Sequence, residues 1–377
     1  MDWNTIYDEI SELRNEEYPW REVAEYINNK YSLNLSADAY RRRYSRYING
    51  SRVSSIDVYD GVQMSMDISA EKYKARDYMN QANSYIRRIS REDTLKEIAE
   101  DFANKMQRVC KFDNVDKITA SSDKEAILCI SDWHYGIEIN NYNNIYNINI
   151  AKQRVTYLLA EVIRFINEYK IKVLHVVNLG DMIAGRIHSQ IKMESRVDSV
   201  TQIMEVSELI AEFIQELSKR VFVEYYEVLD NHSRIEPNIK ESLELESLAR
   251  ITGFYLKQRM KDNFNVNINN NEFGLDITSF EVLGHKVAGV HGNKDKQKTV
   301  INSLTLYTRE FYDLILTAHL HHFSADEQNE TIRISNGSLM GTDSFAQKIR
   351  LNAKPSQTLI VCTKDNPVYA IHKIDLE

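Results

Sequence analysis

The sequence predicts an α/β protein behind a small all-α front, and three observations predict it. Of 12 glycines only Gly50 and Gly61 precede residue 124, and of 4 prolines only Pro19 does; a stretch so poor in chain breakers favours helix. From Ala126 onward, compact apolar runs alternate with amphipathic segments at roughly 20- to 30-residue intervals, the order of strand–helix–strand crossovers in a parallel sheet. After about residue 265 the pattern changes to short alternating strands. With 43% hydrophobic and 27% charged residues, the chain can bury a large core, and collagen-like or low-complexity classes are excluded. At 377 residues and roughly 150 per domain, two or three domains are expected.

In the front, Trp3, Ile6, Tyr7, Ile10 and Leu13 recur at helical spacing. Pro19 sits where a second helix can begin, with Val23, Ile27 and Tyr31 on its inner face. Ser36 is placed to cap a third helix, ADAYRRRYSRYI, which carries Arg41, Arg42, Arg43 and Arg46. Residues 1–25 hold eight acids and two bases, whereas 26–52 hold six bases and one acid. Three short helices ending in a basic, Tyr-rich one suggest a helix-turn-helix-like domain over 1–52 that lays its last helix on DNA. The competing reading is a helical bundle whose arginines are merely solvated, or an oligomerisation unit. Residues 53–123 are expected to form a helical linker arm, with one or two long polar helices over 66–110.

From residue 124 the segments AILCIS, KVLHVVNL (172–179) and VFVEYYEVL (221–229) read as strands. Val155, Leu158, Leu159, Val162, Ile163 and Ile166 mark one helix, and 193–220 a longer one. LDITSFEVLGHKVAGVHG reads as a hairpin turning at Gly284–His285. TIRISNGSL, TLIVCTK and VYAIHKIDL are further strands.

The net charge is -8, so nucleic-acid binding must use a local basic patch. Three cysteines, Cys110, Cys129 and Cys362, fit no zinc or disulfide spacing and point to a reducing compartment. The first residues lack the apolar core of a signal peptide, and no apolar run nears the ~20 residues of a membrane span. The expectation is a soluble cytoplasmic protein with no membrane partner. The Asn-, Ile- and Tyr-rich composition fits an AT-rich bacterial or phage genome.

Chemistry gathers at strand ends. The first apolar run finishes in Asp132-Trp133-His134, the second in Gly180-Asp181, and the third in Asp230-Asn231-His232. The hairpin delivers His291-Gly292, and LILTA delivers His319-Leu320-His321. Carboxyl ends of parallel strands are where α/β sheets place ligands. Two-residue spacing in an extended segment puts Asp132 with His134, and His319 with His321, on one side. Asp, Asn and His at five places in this order make a candidate divalent-metal site. His175, His285 and His372 read instead as hydrogen-bonded core histidines.

This ordered set resembles the calcineurin-like metallophosphoesterase superfamily, whose pattern is D-x-H, G-D, G-N-H-[DE], a lone His, and G-H-x-H. The match covers roughly residues 124–377. It departs at Asp230, where Gly is usual, at Ser233, where an acid is usual and whose loss bears on the orientation of His232, and at Ala318. The resemblance implies an α-β-β-α four-layer sandwich and two divalent metal ions bridged by Asp181. Asp132, His134 and His321 would complete one metal site, and Asn231, His291 and His319 the other. Mn²⁺ is expected, with Fe²⁺, Zn²⁺ and Mg²⁺ also fitting such mixed O/N ligation. Two such ions lower the pKa of a bridging water for in-line displacement, while His232 would protonate the leaving oxygen.

Protein phosphatases of this superfamily carry G-D-x-x-D-R-G. Here the run is Gly180-Asp181-Met182-Ile183-Ala184-Gly185-Arg186, which argues against that activity. The arrangement resembles more closely the DNA-repair exonuclease branch and its phage and bacterial relatives, implying a DNA nuclease or phosphodiesterase. In that branch homodimers and a partner ATPase are common. Arg186, His188 and Arg234 are candidate substrate contacts, with Tyr135 and Lys294 as weaker ones. Two alternatives stand beside this reading. One is hydrolysis of nucleotides or other small phosphoesters, with the front used for assembly. The other is a DNA-binding or scaffolding protein with a vestigial metal site.

Overall fold

The computed structural model describes residues 2–51, 69–83, 86, 116–118, 123–187 and 189–377. The chain divides into two compact units, Met1–Asp93 and Thr94–Glu377.

The first unit contains α1 (Trp3–Asn15), α2 (Trp20–Tyr31) and α3 (Ala37–Ser51). The Asp2 carboxylate accepts from Asn4 N and caps α1, Pro19 directly precedes α2, and Ser36 Oγ accepts from Ala39 N at 3.3 Å. Ile6, Ile10, Val23, Ala24, Ile27 and Tyr40 form the core. Asn28 fixes the turn into α3, because its Oδ1 accepts from both Leu35 N (3.0 Å) and Tyr40 Oη (2.9 Å). Arg41, Arg42, Arg43 and Arg46 are exposed. Arg43 is nonetheless engaged, its guanidinium 4.5 Å from the centre of the Trp3 ring. Residues 69–83 are helical and exposed throughout; most of the expected linker arm, with Cys110, lies outside the described residues.

The second unit is mixed α/β. A six-stranded sheet has the order β13-β12-β1-β4-β5-β6, with β1 Lys124–Ile130, β4 Val173–Asn178, β5 Phe222–Glu227, β6 Val266–Ile268, β12 Ser356–Thr363 and β13 Asn366–Asp375. A five-stranded sheet has the order β10-β11-β9-β8-β7, with β7 Ile277–Val282, β8 His285–Val290, β9 Leu314–Thr317, β10 Ser324–Gln328 and β11 Thr331–Ser335. The short strands β2 (Ile139–Asn140) and β3 (Ile145–Tyr146) pair with each other.

Strand periodicity of two explains how the sheets are buried. Ala126, Leu128 and Ile130 of β1 and Leu174 and Val176 of β4 pack with Leu158, Val162, Ile210 and Ile214. These last four lie on helices α4 (Ile148–Tyr169) and α6 (Ser199–Ser218). The alternate residues Ile127, Cys129, Val177 and Leu179 pack instead with Val287, Leu314, Leu316 and Ile334 of the five-stranded sheet. The other face of that sheet, through Ala288, Val290 and Ile315, meets Val300, Ile301 and Leu304 of α7 (Val300–Thr308). Strands buried on both faces read as the continuous apolar runs seen in the sequence.

The six-stranded sheet is mixed, in keeping with the change of pattern after residue 265: β1, β4, β5 and β6 are parallel, but β12 runs antiparallel to β1, and β13 to β12. Two expectations change. The helix expected over 193–220 is two, α5 (Ser189–Glu194) and α6. Asp198 accepts from Val200 N and Thr201 N, both at 3.0 Å, so a new N-cap competes with helix continuation. The intervening backbone pairs elsewhere, with Arg196 N donating to Gly136 O (3.1 Å) and Glu138 N to Glu194 O (2.9 Å). The β7–β8 turn is Leu283–Gly284, one residue earlier than expected. Both have left-handed φ, 52° and 95°, as a two-residue hairpin turn of matching twist requires.

Candidate metal centre

The site lies beyond the carboxyl ends of β1, β4, β5, β8 and β9. The loop after β1 is zipped to the loop after β4: Asp132 N donates to Gly180 O (3.0 Å), His134 N to Asp181 O (3.0 Å) and Tyr135 N to Met182 O (2.9 Å). The backbone here is not extended, contrary to the spacing argument. Asp132, His134, Asp181, His319 and His321 have φ of 53°, 44°, 54°, 68° and 60°. Each left-handed residue costs about 1–2 kcal/mol, and the zipper of loop hydrogen bonds holds Asp132, His134 and Asp181 there. Convergence of the side chains therefore comes from turns at strand ends, not from strand alternation. Gly180 completes one turn, with φ +93° and an ideal Cβ only 2.6 Å from Asp230 Cβ.

Asp132, His134, Asp181 and His321 bring one ligand atom each within 4.8 Å of one another, and Asp181, His291 and His319 do the same. Asp181 belongs to both groups. Asp132 Oδ1 and Asp181 Oδ2 are buried and accept no hydrogen bond. Imidazole nitrogens nonetheless stand close: His321 Nε2 is 3.2 Å from Asp132 Oδ1, and His291 Nε2 is 3.1 Å from Asp181 Oδ2. His134 Nε2 is 3.1 Å from His321 Nε2. Asn231 Oδ1 and His319 Nδ1 lie 2.9 and 3.2 Å from His291 Nε2. His291 Nδ1 donates to Leu179 O at 2.7 Å, which turns the other ring nitrogen toward the cluster.

Buried oxygens and imidazole lone pairs facing one another repel unless positive charge lies between them. The titration of the site reflects that demand. Burial alone would raise Asp181, but His232, His291 and His134 hold it well below the usual carboxylate range. Burial, assisted by His232, pushes His134 well below the ordinary histidine value. Against its burial, the Asp181 carboxylate raises His291 to about 10. A proton on His291 and a divalent cation answer the same need, and the residues fit the cation: mixed carboxylate, amide and imidazole ligands suit Mn, Fe or Zn.

His232 is beside this cluster. Its Nδ1 donates to Ala184 O at 2.7 Å, its backbone N to Asp181 Oδ1 at 3.1 Å, and its Nε2 stands 3.9 Å from Asp181 Oδ2. Thus a backbone carbonyl, rather than an acid at position 233, orients the ring. Arg186 and Arg234 line a neighbouring groove. Lys294 is engaged by Asp276 (2.7 Å), and the buried Tyr135 donates to Glu205 (2.6 Å). His188 lies outside the described residues. His175, His285 and His372 have structural partners in Glu125, Thr363 O and Tyr169.

Several supporting residues escaped the sequence reading. Asp230, named there at a strand end but given no role, accepts from Asp181 N (2.9 Å), Ser233 N (2.7 Å) and Ser233 Oγ (3.0 Å). Ser131 Oγ donates to Asp132 Oδ2 (2.6 Å), and Ser338 Oγ to Asp132 O (2.9 Å). Asn336-Gly337-Ser338 ends the apolar strand β11, the same signal that exposed the other motifs.

No family model matches the chain. The SPbeta prophage-derived uncharacterized protein YonJ of Bacillus subtilis (strain 168) is 24% identical over 366 residues, 91% of this chain and 88% of that protein. Among solved structures, an archaeal phosphodiesterase overlaps 66% of this chain and 99% of its own, at 14% identity and a TM-score of 0.34. Vps29 from Cryptosporidium parvum overlaps 67% and 98%, at 14% identity and 0.33. A predicted phosphoesterase from Streptococcus pneumoniae overlaps 68% and 99%, at 14% identity and 0.29. Superpositions this loose add nothing to the geometry above. Among the described residues no helix is long and apolar enough to cross a membrane.

Proposed function

We propose that the chain is a dinuclear-metal-dependent phosphoesterase of the calcineurin-like type, and a DNA nuclease in particular. In this reading the three apolar clusters of the second unit lie between the four layers of an α-β-β-α sandwich. One observation carries it: two buried carboxylate oxygens that accept no hydrogen bond face imidazole nitrogens at 3.1 and 3.2 Å. Asp132, His134, Asp181 and His321 would hold one ion, and Asp181, Asn231, His291 and His319 the other, with Mn²⁺ the expected metal. Bound there, the ions supply Lewis acidity and a water of lowered pKa. Asp181 joins the two groups and fixes their separation. His232, held by Ala184 O, presents Nε2 to the leaving oxygen and delivers a proton to it.

DNA as substrate is supported by α3, whose Arg41, Arg42 and Arg46 are exposed and whose sequence context is basic. A prophage-derived relative supports a bacterial or phage cytoplasm. A second reading, small phosphoesters with the first unit used for assembly, is favoured by the exposed Tyr18 and Tyr26 on that unit.

The deciding experiment gives the Mn²⁺-loaded protein labelled single- and double-stranded DNA, bis(p-nitrophenyl) phosphate and p-nitrophenyl phosphate. Cleavage of a polynucleotide is expected. Hydrolysis of the small esters alone ends the nuclease reading, and failure on all four ends the phosphoesterase reading. In a gel shift, replacing Arg41, Arg42 and Arg46 with Ala should lower the salt slope by about 2–3. An unchanged slope removes DNA from the role of this unit.

A further inference from the structure

Beside His232 lies a groove of about 350 Å³ with no role in the reading above. Its wall is built on the catalytic loop. Ala184 O holds the His232 ring, and the next residue, Gly185, packs so closely that an added Cβ would lie 2.1 Å from His232 O. Arg234, two residues after His232, lines the same groove. Gly185 itself is tied down by Gln202 Oε1 at 2.9 Å.

The lining combines two chemistries. Val200, Ile235 and Leu248 offer apolar surface, and four basic side chains, Arg186, Lys192, Arg196 and Arg234, stand against one acid, Asp198. That acid is occupied as the cap of α6, and Arg196 is paired with Glu138. Arg234 is different: its Nε is buried and has no hydrogen-bond partner. A buried donor left unsatisfied is costly, and turning the guanidinium outward onto an anion in the groove would satisfy it. Arg186, by contrast, is exposed at the rim.

We propose that this groove holds the nucleotide next to the scissile phosphate, with its base against Val200, Ile235 and Leu248 and its own phosphate on Arg234 and Arg186. Apolar side chains beside guanidinium groups fit a nucleobase and its phosphate, whereas small aryl esters lack the second phosphate. The inference rests on the phosphodiesterase reading, and it turns that reading toward substrates of at least two nucleotides.

The test compares Arg234→Gln and Arg186→Gln with the unaltered protein. Turnover of the dinucleotide pTpT and of bis(p-nitrophenyl) phosphate is measured with Mn²⁺, and binding of thymidine 5′-monophosphate to the metal-free protein by calorimetry. For Arg234→Gln, kcat/KM on pTpT should fall about tenfold further than on the small diester, chiefly through KM. Binding of the monophosphate should weaken by about tenfold, as expected for one lost charge-assisted hydrogen bond. Arg186→Gln, a substitution at an exposed position that does not threaten folding, should move both readouts in the same direction. Equal losses on the two substrates, or unchanged monophosphate binding in both variants, overturns the groove and leaves diester hydrolysis standing. Absence of turnover on either diester by the unaltered protein defeats the hydrolase reading separately, and the binding arm still decides the groove.

Discussion

Asp181→Asn is the sharpest perturbation available, because it keeps the shape of the side chain and removes one charge shared by both groups of ligands. Asp181 Oδ2 stands 3.1 Å from His291 Nε2 and 3.9 Å from Nε2 of both His134 and His232. Across 3.1 Å, at an effective dielectric of about 20, a unit charge pair is worth about 5 kcal/mol. That is enough to bring His291 from about 10 into or below the ordinary histidine range, since each pH unit is about 1.4 kcal/mol. Metal should go with it. After loading with Mn²⁺ and desalting, elemental analysis should find about two equivalents in the unaltered protein, as a two-metal site requires, and well under one in the variant. The histidine is followed by NMR titration of its imidazole in the metal-free protein. Retention of both equivalents, or a His291 that still titrates near 10, would refute the placement of Asp181 at the junction.

His232→Ala should keep both metals yet lose turnover by about 10²–10⁴-fold; ordinary activity in that variant sinks the proton-donor role. Asp230→Ala leaves Asp181 N and Ser233 N unpaired in the interior, at about 1–3 kcal/mol each. Urea denaturation should therefore show a loss of about 3 kcal/mol, and a loss below about 1 kcal/mol would mean that the loops do not depend on this carboxylate. Glu227 is pushed up to about 7 by burial, so between pH 4.5, its ordinary value, and pH 7 the folded protein holds a proton that the unfolded chain has released. Stability from this group is complete at low pH and declines as pH rises through that window. Glu227→Gln should accordingly raise stability by about 3 kcal/mol at pH 8 and by little near pH 4, read from thermal melts at both values; an equal effect at both pH values rules out the buried charge as its cause.

Much of the site was legible because strand ends leave a local mark. Asp132, His134, Asp181, Asn231, His232, His291, His319 and His321 each follow an apolar run, and their order along the chain reflects the order in which the strands deliver them. The helices of the first unit were legible for a similar reason: Asp2, Pro19 and Ser36 cap or open their helices through contacts within a few residues. The break at Asp198 was missed, since the apolar periodicity of 193–220 runs through it; the local cap at Asp198 is joined by pairing with Gly136 and Glu138, some 60 residues away.

The sequence by itself determined the alternation of strands and helices and the placement of Asp, Asn and His at strand ends, because these depend on near neighbours and on side-chain period. Only the tertiary structure decided how these side chains converge, through left-handed turns at Asp132, His134, Asp181, His319 and His321, of which Asp132, His134 and Asp181 are held by hydrogen bonds between separate loops. It also decided that Asp230 is the acceptor joining two of those loops, that Ala184 O sets the orientation of His232, and that Arg234 sits in a groove beside the reaction centre. Each of these rests on atoms brought together from dozens of residues apart, and no local pattern encodes such distances.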